Sequence, residues 1–304
     1  KDKTWFTSNA TAAMYLNKKK AFNRFNLFEN ILFGMEFGLE TLVEGVYLLD
    51  PTMVHLPETN TTVQRKITIP PVEHNYKKCL RNNADLLIEE FRIYQSLFGS
   101  SITSALSGGF DSRLMLAAEL QCGIVPHLYV YGLPKDKDVV VAKNICTNEH
   151  IELFHSERYT ETTVDTDTAG KTILQNFWDF DGNSQLFAGG FNLKSRMQRA
   201  SEYEIALNGA GGEIYRDEWK WDFNTTSLYK LIENSYDTGE LGLFGINQKV
   251  FFENIEYKLH NQLKSFGLSK KSITRQEAEM IFPIYRSNFY YQGNNINNYF
   301  GTAT

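Results

Sequence analysis

Apolar residues along the middle of this chain follow two spacings in turn, one helical and one strand-like. The strand-like runs lie at 102–106, 126–131, 151–154 and 203–207, and the helical runs begin at residue 76 and span 114–120 and 138–146. Strands that alternate with helices at this spacing favour parallel β-α-β units, in which ligands bind beyond the carboxyl ends of the strands. We therefore predict an α/β fold built on a doubly wound, mostly parallel sheet.

The two flanks of this alternating part have different patterns. Residues 9–35 have apolar positions at helical spacing, whereas residues 41–69 contain short β-rich runs separated by turn signals. Pro70-Pro71 stops regular structure and marks a boundary. After residue 225 the spacing is mostly helical. We expect a first domain at residues 1–71 that includes the small β-rich segment, and a second domain at residues 72–304 that ends in a helical extension.

Composition narrows the class of protein and its partners. The 304 residues are 42% hydrophobic and 14% aromatic, which is typical of a chain that buries a core. A net charge of −5 gives no reason to expect a nucleic-acid partner. No apolar run approaches the roughly 20 residues that cross a bilayer, so no membrane partner is expected. The three cysteines are widely spaced, which predicts reduced thiols in a cytoplasmic protein and neither a disulfide framework nor a metal cluster.

The clearest candidate for chemistry is the segment 107–113, which reads S-G-G-F-D-S-R between a predicted strand and a predicted helix. Gly108 and Gly109 can adopt backbone angles that other residues avoid, and they leave N–H groups at a helix start open to an anion. Asp111 would repel phosphate unless a cation lay between them, so the segment predicts a pyrophosphate site that uses Mg²⁺. The alternative is a plain tight turn followed by an N-capped helix. The segment is neither a Walker A motif nor a dinucleotide fingerprint.

A second glycine-rich segment follows the strand-like run at 203–207. It spans residues 208–213 with the sequence N-G-A-G-G-E, so three glycines lie where the backbone could approach a ligand closely. Each of the two segments carries one acidic residue, Asp111 and Glu213, and these could hold the same Mg²⁺. The alternative is two unrelated turns, with Glu213 favoured by the dipole of the helix that it opens.

Two charged residues near the first segment have less specific interpretations. Arg113 could bind a phosphate or a substrate carboxylate. Asp138 could reach the phosphates, although its position at the start of a helical run favours an N-cap.

The segment S-G-G-F-D-S resembles the PP-loop of the ATP pyrophosphatases, in the form typical of the asparagine synthetase branch. The second segment is similar to that family's G-x-G-[GS]-D-E signature, with Gly209, Gly211 and Gly212 at its glycine or small positions. The resemblance implies ATP and Mg²⁺ as cofactors, and an AMP-forming ligase that adenylates a carboxylate and passes the acyl group to an amine. It also implies Asp111 and Glu213 as the catalytic and metal-binding residues. The nucleotide-binding residues that it implies are Ala105, Ser107, Gly108, Gly109, Phe110, Asp111, Ser112, Tyr131, Gly132 and Gly209.

Residues 34–57 resemble the closing segment of the glutaminase domain that precedes the synthetase domain in this family. That domain begins with a cysteine nucleophile, whereas the first cysteine here is Cys79. We therefore expect residues 1–71 to be a remnant of such a domain, either because the chain is a fragment of a longer protein or because the glutaminase half has been lost, and we assign no glutamine hydrolysis to this chain. A separate glutaminase domain or subunit is one candidate partner, beside a small-molecule or peptide carboxylate and an amine donor.

The second segment departs from the family's pattern at two positions. Glu213 stands where the family has a metal-binding aspartate. Ala210 stands where asparagine synthetases have a glutamate and β-lactam-forming enzymes a tyrosine for acyl transfer, and alanine has no proton to move. The family's downstream lysine would fall beyond Thr304 when counted forward. ATP binding is thus better supported than amide formation. The alternatives are a catalytically weakened nucleotide-binding or partner-binding subunit or fragment, and a β-lactam-forming or peptide-cyclising relative.

Overall fold

The computed structural model describes residues 5–7, 10–33, 36–50, 52–56, 58–59, 61–64, 73–157, 170–171, 173–175, 178, 193–210, 212, 221–235, 241–265, 267–268, 272–281 and 302–303. The helices are α1 (Ala10–Leu16), α2 (Arg24–Phe33), α3 (Tyr76–Phe98), α4 (Phe110–Gln121), α5 (Lys137–Glu149), α6 (Leu193–Glu202), α7 (Leu228–Ser235), α8 (Gln248–Ser265) and α9 (Arg275–Ile281). The strands are β1 (Met53–Leu56), β2 (Thr61–Gln64), β3 (Ile102–Ala105), β4 (His127–Tyr131), β5 (Leu153–Ser156), β6 (Ile205–Leu207), β7 (Thr225–Thr226), β8 (Ile273–Thr274) and β9 (Thr302–Ala303). The chain divides into two compact units, residues 1–71 with 217–293 and residues 72–216 with 294–304.

The second of these units contains a parallel sheet. Its strand order is β5-β4-β3-β6-β9, and each neighbouring pair is parallel. The order of the strands along the chain reverses between β3 and β6, which makes this pair the topological switch point where ligands bind in such sheets. The predicted α/β fold with a parallel sheet is confirmed.

Helices flank both faces of this sheet. Ser104, Leu128 and Leu207 lie side by side in register, so they face one side. On that side Ser104 hydrogen-bonds Glu119 of α4, and Leu128 packs in a buried cluster with residues of α4 and α5. Tyr129 is next to Leu128 and faces the other side, where the guanidinium of Arg199 in α6 lies over its ring. The sheet is therefore doubly wound, as predicted.

The helical extension groups with the N-terminal part of the chain, which differs from the predicted division into residues 1–71 and 72–304. Five apolar residues of α8 form one buried stripe, namely Phe251, Phe252, Ile255, Leu259 and Leu263. This stripe packs in one cluster with buried Phe37 and with half-buried phenylalanines of α2. Helical spacing predicted that α8 buries a face, but it could not tell which part of the chain covers that face.

The predicted β-rich segment is only partly regular. β1 and β2 form an antiparallel hairpin with Val54 opposite Val63. The strand-like runs before Asp50 contribute isolated bridges, Phe22 with Val43 and Glu40 with Tyr47. The Thr41 hydroxyl and the Thr41 backbone N–H both donate to the carbonyl oxygen of Val46, at 2.9 Å and 3.2 Å, so a side chain adds a hydrogen bond to the backbone one.

Candidate functional site

The two glycine-rich segments meet at the switch point of the sheet. The first follows β3 and the second follows β6, and these two strands are hydrogen-bonded neighbours. Because parallel strands end at the same edge of a sheet, both segments leave that edge side by side. The sequence does not show that these two strands are neighbours in the sheet. The observed strand order shows that they are.

Hydroxyl groups fix the shape of the first segment. The Ser107 backbone N–H donates to Ser112 Oγ at 3.0 Å, and the Gly109 N–H donates to Ser107 Oγ at 3.1 Å. Gly109 is the N-cap residue of α4, and its backbone is extended with φ −71° and ψ 154°. The positive end of the α4 dipole therefore lies at the segment, with Asp111 in the first turn of the helix.

The second segment packs directly against Asp111. A Cβ at Gly209 would lie 2.7 Å from the Ser112 backbone nitrogen, and a Cβ at Gly212 would lie 2.6 Å from Asp111 Oδ1. Contacts this short leave room for glycine alone at these two positions. The close approach supports the interpretation of the two segments as parts of one site over that of two unrelated turns. Gly211 and Glu213, the predicted partner of Asp111, lie outside the described residues.

An open cleft of about 310 Å³ lies over this edge of the sheet. Such a volume is at the lower end of the range for small-molecule sites. Among the predicted nucleotide-binding residues, those that line the cleft are Ala105, Ser107, Gly109, Asp111, Ser112, Tyr131 and Gly209. The structure therefore brings most of the predicted set around one space.

Three of the predicted residues do not line the cleft. The Gly108 N–H donates to Asp138 Oδ1 at 2.9 Å. The Phe110 side chain is 77% exposed, and the Arg113 guanidinium lies over its ring at 4.5 Å. Gly132 has φ +140°, and its carbonyl oxygen contacts His155 Nε2 at 2.8 Å. Few residues other than glycine adopt this backbone angle. The angle alone therefore explains why residue 132 is a glycine, and no contact with a ligand is needed to explain it.

Further residues line the cleft that we did not predict as ligand-binding, namely Leu106, Tyr129, Val130, Asp138 and Ala210. Asp138 was expected to cap α5, but Asp136 is the N-cap residue, and Asp136 Oδ2 accepts the Leu133 N–H at 2.7 Å. Asp138 lies two residues further on, in the first turn. Its carboxylate is therefore turned to the first segment instead of its own helix start, which only the packing of α5 could reveal.

An arginine on α6 supports the tyrosine wall of the cleft. Arg199 donates to the Tyr131 hydroxyl, and its guanidinium lies 4.6 Å from the Tyr129 ring centre. The two tyrosine rings are 5.3 Å apart. No feature of the sequence pairs Arg199 with Tyr131, because 68 residues separate them.

The carboxylates of the cleft suit a metal ion that arrives with a ligand. Among the residues that the structure describes, no group of three or more His, Cys, Asp or Glu could hold a metal ion by itself. Mg²⁺ is commonly bound through one or two carboxylates together with phosphate oxygens and water. Asp111 and Asp138 both line the cleft and fit this mode, whereas a closed cage of protein ligands does not fit the described residues.

Comparisons with known proteins assign this chain to no family. No family model matches the chain, and no curated protein does. The chain is similar to the solved structure of a predicted subunit of tRNA methyltransferase from Methanocaldococcus jannaschii, with 14% identity and a TM-score of 0.22 over 57% of this chain and 95% of that one. Similarity at this level says nothing about what this chain does. No helix in the described part of the chain is long and apolar enough to span a membrane.

Proposed function

We propose that this chain binds ATP with Mg²⁺ in the cleft over β3 and β6, and that it uses the nucleotide as an AMP-forming amide ligase of the asparagine synthetase-like type. The observation that carries the first part is the contact between the two glycine-rich segments, in which Gly209 and Gly212 leave no room for a Cβ beside Asp111 and Ser112. The resemblance of both segments to one family's signatures supports the second part.

Each part of the cleft has a role in this proposal. The N–H groups at the start of α4 would bind the pyrophosphate end of ATP, because the positive end of the helix dipole favours an anion there. Asp111, with Glu213, would hold Mg²⁺, which when bound neutralises charge on the phosphates of the leaving pyrophosphate. Tyr131, the last residue of β4, would contact the base. These residues orient the α-phosphate for attack by a carboxylate, and positioning with charge stabilisation supplies the catalysis.

Isothermal titration calorimetry with Mg·ATP tests the binding part. We expect saturable binding to the wild type and at least about tenfold weaker binding to Asp111→Ala. Asp85→Ala is the matched control, because this exposed aspartate of α3 removes the same charge away from the cleft. Equal binding by Asp111→Ala and Asp85→Ala, or no binding by the wild type at millimolar ATP, would refute this part.

A second candidate function is a nucleotide-binding subunit with little catalysis. Ala210 lines the cleft, so a methyl group stands where the family places a residue for acyl transfer. Pyrophosphate release over a panel of carboxylates, with and without an amine, separates the candidates. A ligase releases pyrophosphate with one class of carboxylate and forms amide when the amine is added. A subunit that binds Mg·ATP without releasing pyrophosphate would overturn the ligase and leave nucleotide binding standing.

A further inference from the structure

A carboxylate already holds one of the N–H groups that the first segment would offer to a phosphate. Asp138 Oδ1 accepts the Gly108 N–H at 2.9 Å, with 30 residues between them. Asp138 also lines the cleft, as Asp111 does. The hydrogen bond is thus made inside the candidate site, by an anionic oxygen of the kind that phosphate would supply.

This contact is built into the packing of α5 against the segment. A Cβ at Gly108 would lie 2.8 Å from Asp138 Oδ1 and 3.3 Å from Asp138 Cα, so the helix backbone and the glycine are in close contact. Asp136, and not Asp138, is the N-cap residue of α5, and the Asp136 side chain makes no capping hydrogen bond to the helix. The Asp138 carboxylate, in the first turn of α5, accepts the Gly108 N–H of the first segment.

We propose that Asp138 occupies the Gly108 N–H in place of a phosphate oxygen and thereby makes the segment selective for polyphosphate that carries a divalent cation. The inference rests on the proposed function, since it concerns the same site. A metal-free polyphosphate must displace Asp138 and then lie near two carboxylates, Asp138 and Asp111, which repel it. A polyphosphate with its cation presents positive charge to both carboxylates, so the repulsion becomes attraction.

The test measures binding of inorganic pyrophosphate by calorimetry, once with EDTA and once with Mg²⁺. Asp138→Asn keeps the size of the side chain and an oxygen that can accept the Gly108 N–H, and it removes the charge. Glu149→Gln is the matched control, because this exposed glutamate is the last residue of the same helix. Circular dichroism establishes that all three proteins are folded.

We expect Asp138→Asn to bind metal-free pyrophosphate at least about tenfold more tightly than the wild type, and to lose most of the gain that Mg²⁺ gives the wild type. Glu149→Gln should match the wild type in both conditions. Weaker or unchanged metal-free binding by Asp138→Asn would overturn the inference, and so would a failure of every protein to bind pyrophosphate. Binding of pyrophosphate with the expected pattern but no binding of ATP would instead refute the proposed function and support the role of Asp138.

Discussion

Glu119 is a carboxylic acid in the layer between α4 and the sheet, and its ionisation should govern how the stability of this protein depends on pH. The side chain is 0% exposed, and its hydrogen-bond partner is the Ser104 hydroxyl. Burial raises the pKa of Glu119 from 4.5 to about 7, although the Ser104 hydrogen bond opposes the rise. Each unit of pKa corresponds to about 1.4 kcal/mol. The difference in the pKa of Glu119 between the folded and unfolded chains therefore changes the free energy of unfolding by about 3 kcal/mol across the pH range in which it titrates.

The sign follows from which state holds the proton. Between pH 4.5 and 7 the unfolded chain has lost the Glu119 proton while the folded chain keeps it, so the free energy of unfolding falls as pH rises. The contribution of protonated Glu119 to the free energy of unfolding is therefore fully present below pH 4.5 and is lost above pH 7. Glu119→Gln is neutral at every pH and removes this dependence. Its amide adds buried N–H donors. These lower the free energy of unfolding by about 1–3 kcal/mol, by the same amount at every pH.

Urea denaturation from pH 5 to pH 8, followed by circular dichroism, measures the effect. The free energy of unfolding of Glu119→Gln minus that of the wild type should rise by about 2 to 3 kcal/mol over this range. Glu89→Gln is the control, because Glu89 is an exposed residue of α3 and should show no such change. Parallel pH profiles of Glu119→Gln and the wild type would refute the reasoning. A second check is Ser104→Ala, in which loss of the hydrogen bond should raise the pKa of Glu119 further, as measured by carboxyl ¹³C NMR.

Three further predictions concern the other unit and the cleft. Lys258 is 6% exposed and donates to Glu29 Oε1 at 2.8 Å. Lys258→Met should therefore lower the free energy of unfolding, measured by urea denaturation, by about 3–5 kcal/mol, because it leaves the buried Glu29 carboxylate without its cation. Lys249→Met, at an exposed position of the same helix, should lower it little. Gly209→Ala should weaken Mg·ATP binding by at least about tenfold, because its Cβ would lie 2.7 Å from the Ser112 nitrogen, whereas Gly242→Ala meets nothing within 4 Å and should bind as the wild type does. Arg199→Ala should weaken Mg·ATP binding more than Mg·pyrophosphate binding, because Arg199 donates to Tyr131 and not to the first segment. Gln198→Ala, at an exposed position of the same helix, is the control. Equal weakening of the binding of both ligands by Arg199→Ala would contradict this role.

The sequence predicted the order of helices and strands in the α/β unit well, because each element there has a local signal. β3, β4 and β5 lie in short strand-like runs of the sequence, and turn residues separate them from α4 and α5. The ends of the elements shift by a few residues. α4, for example, begins at Phe110 although its apolar run begins at Leu114, since the helix start is set by the cap at Gly109.

Periodicity did not identify what α4 buries. Leu114 is 51% exposed, whereas Glu119 is fully buried. Ser112, Leu116 and Glu119 follow the i, i+4, i+7 spacing of one helix face, and that face is turned to the sheet. From sequence alone, an acidic residue on such a face is expected to be exposed to solvent, because its hydrogen-bond partner, Ser104, lies on a different element.

The candidate site shows the same division between local and tertiary information. The glycines and Asp111 were found because their spacing reflects a local requirement, a backbone that turns tightly and approaches a neighbour. Asp138 was misassigned and Arg199 was missed, because each acts on a residue that only the packing of its helix brings near. Both of them contact a residue of the predicted set, Gly108 in one case and Tyr131 in the other. If the chain binds a nucleotide as proposed, the motif identifies the groups that would touch it, while the helices around the motif supply the charged side chains that contact those groups.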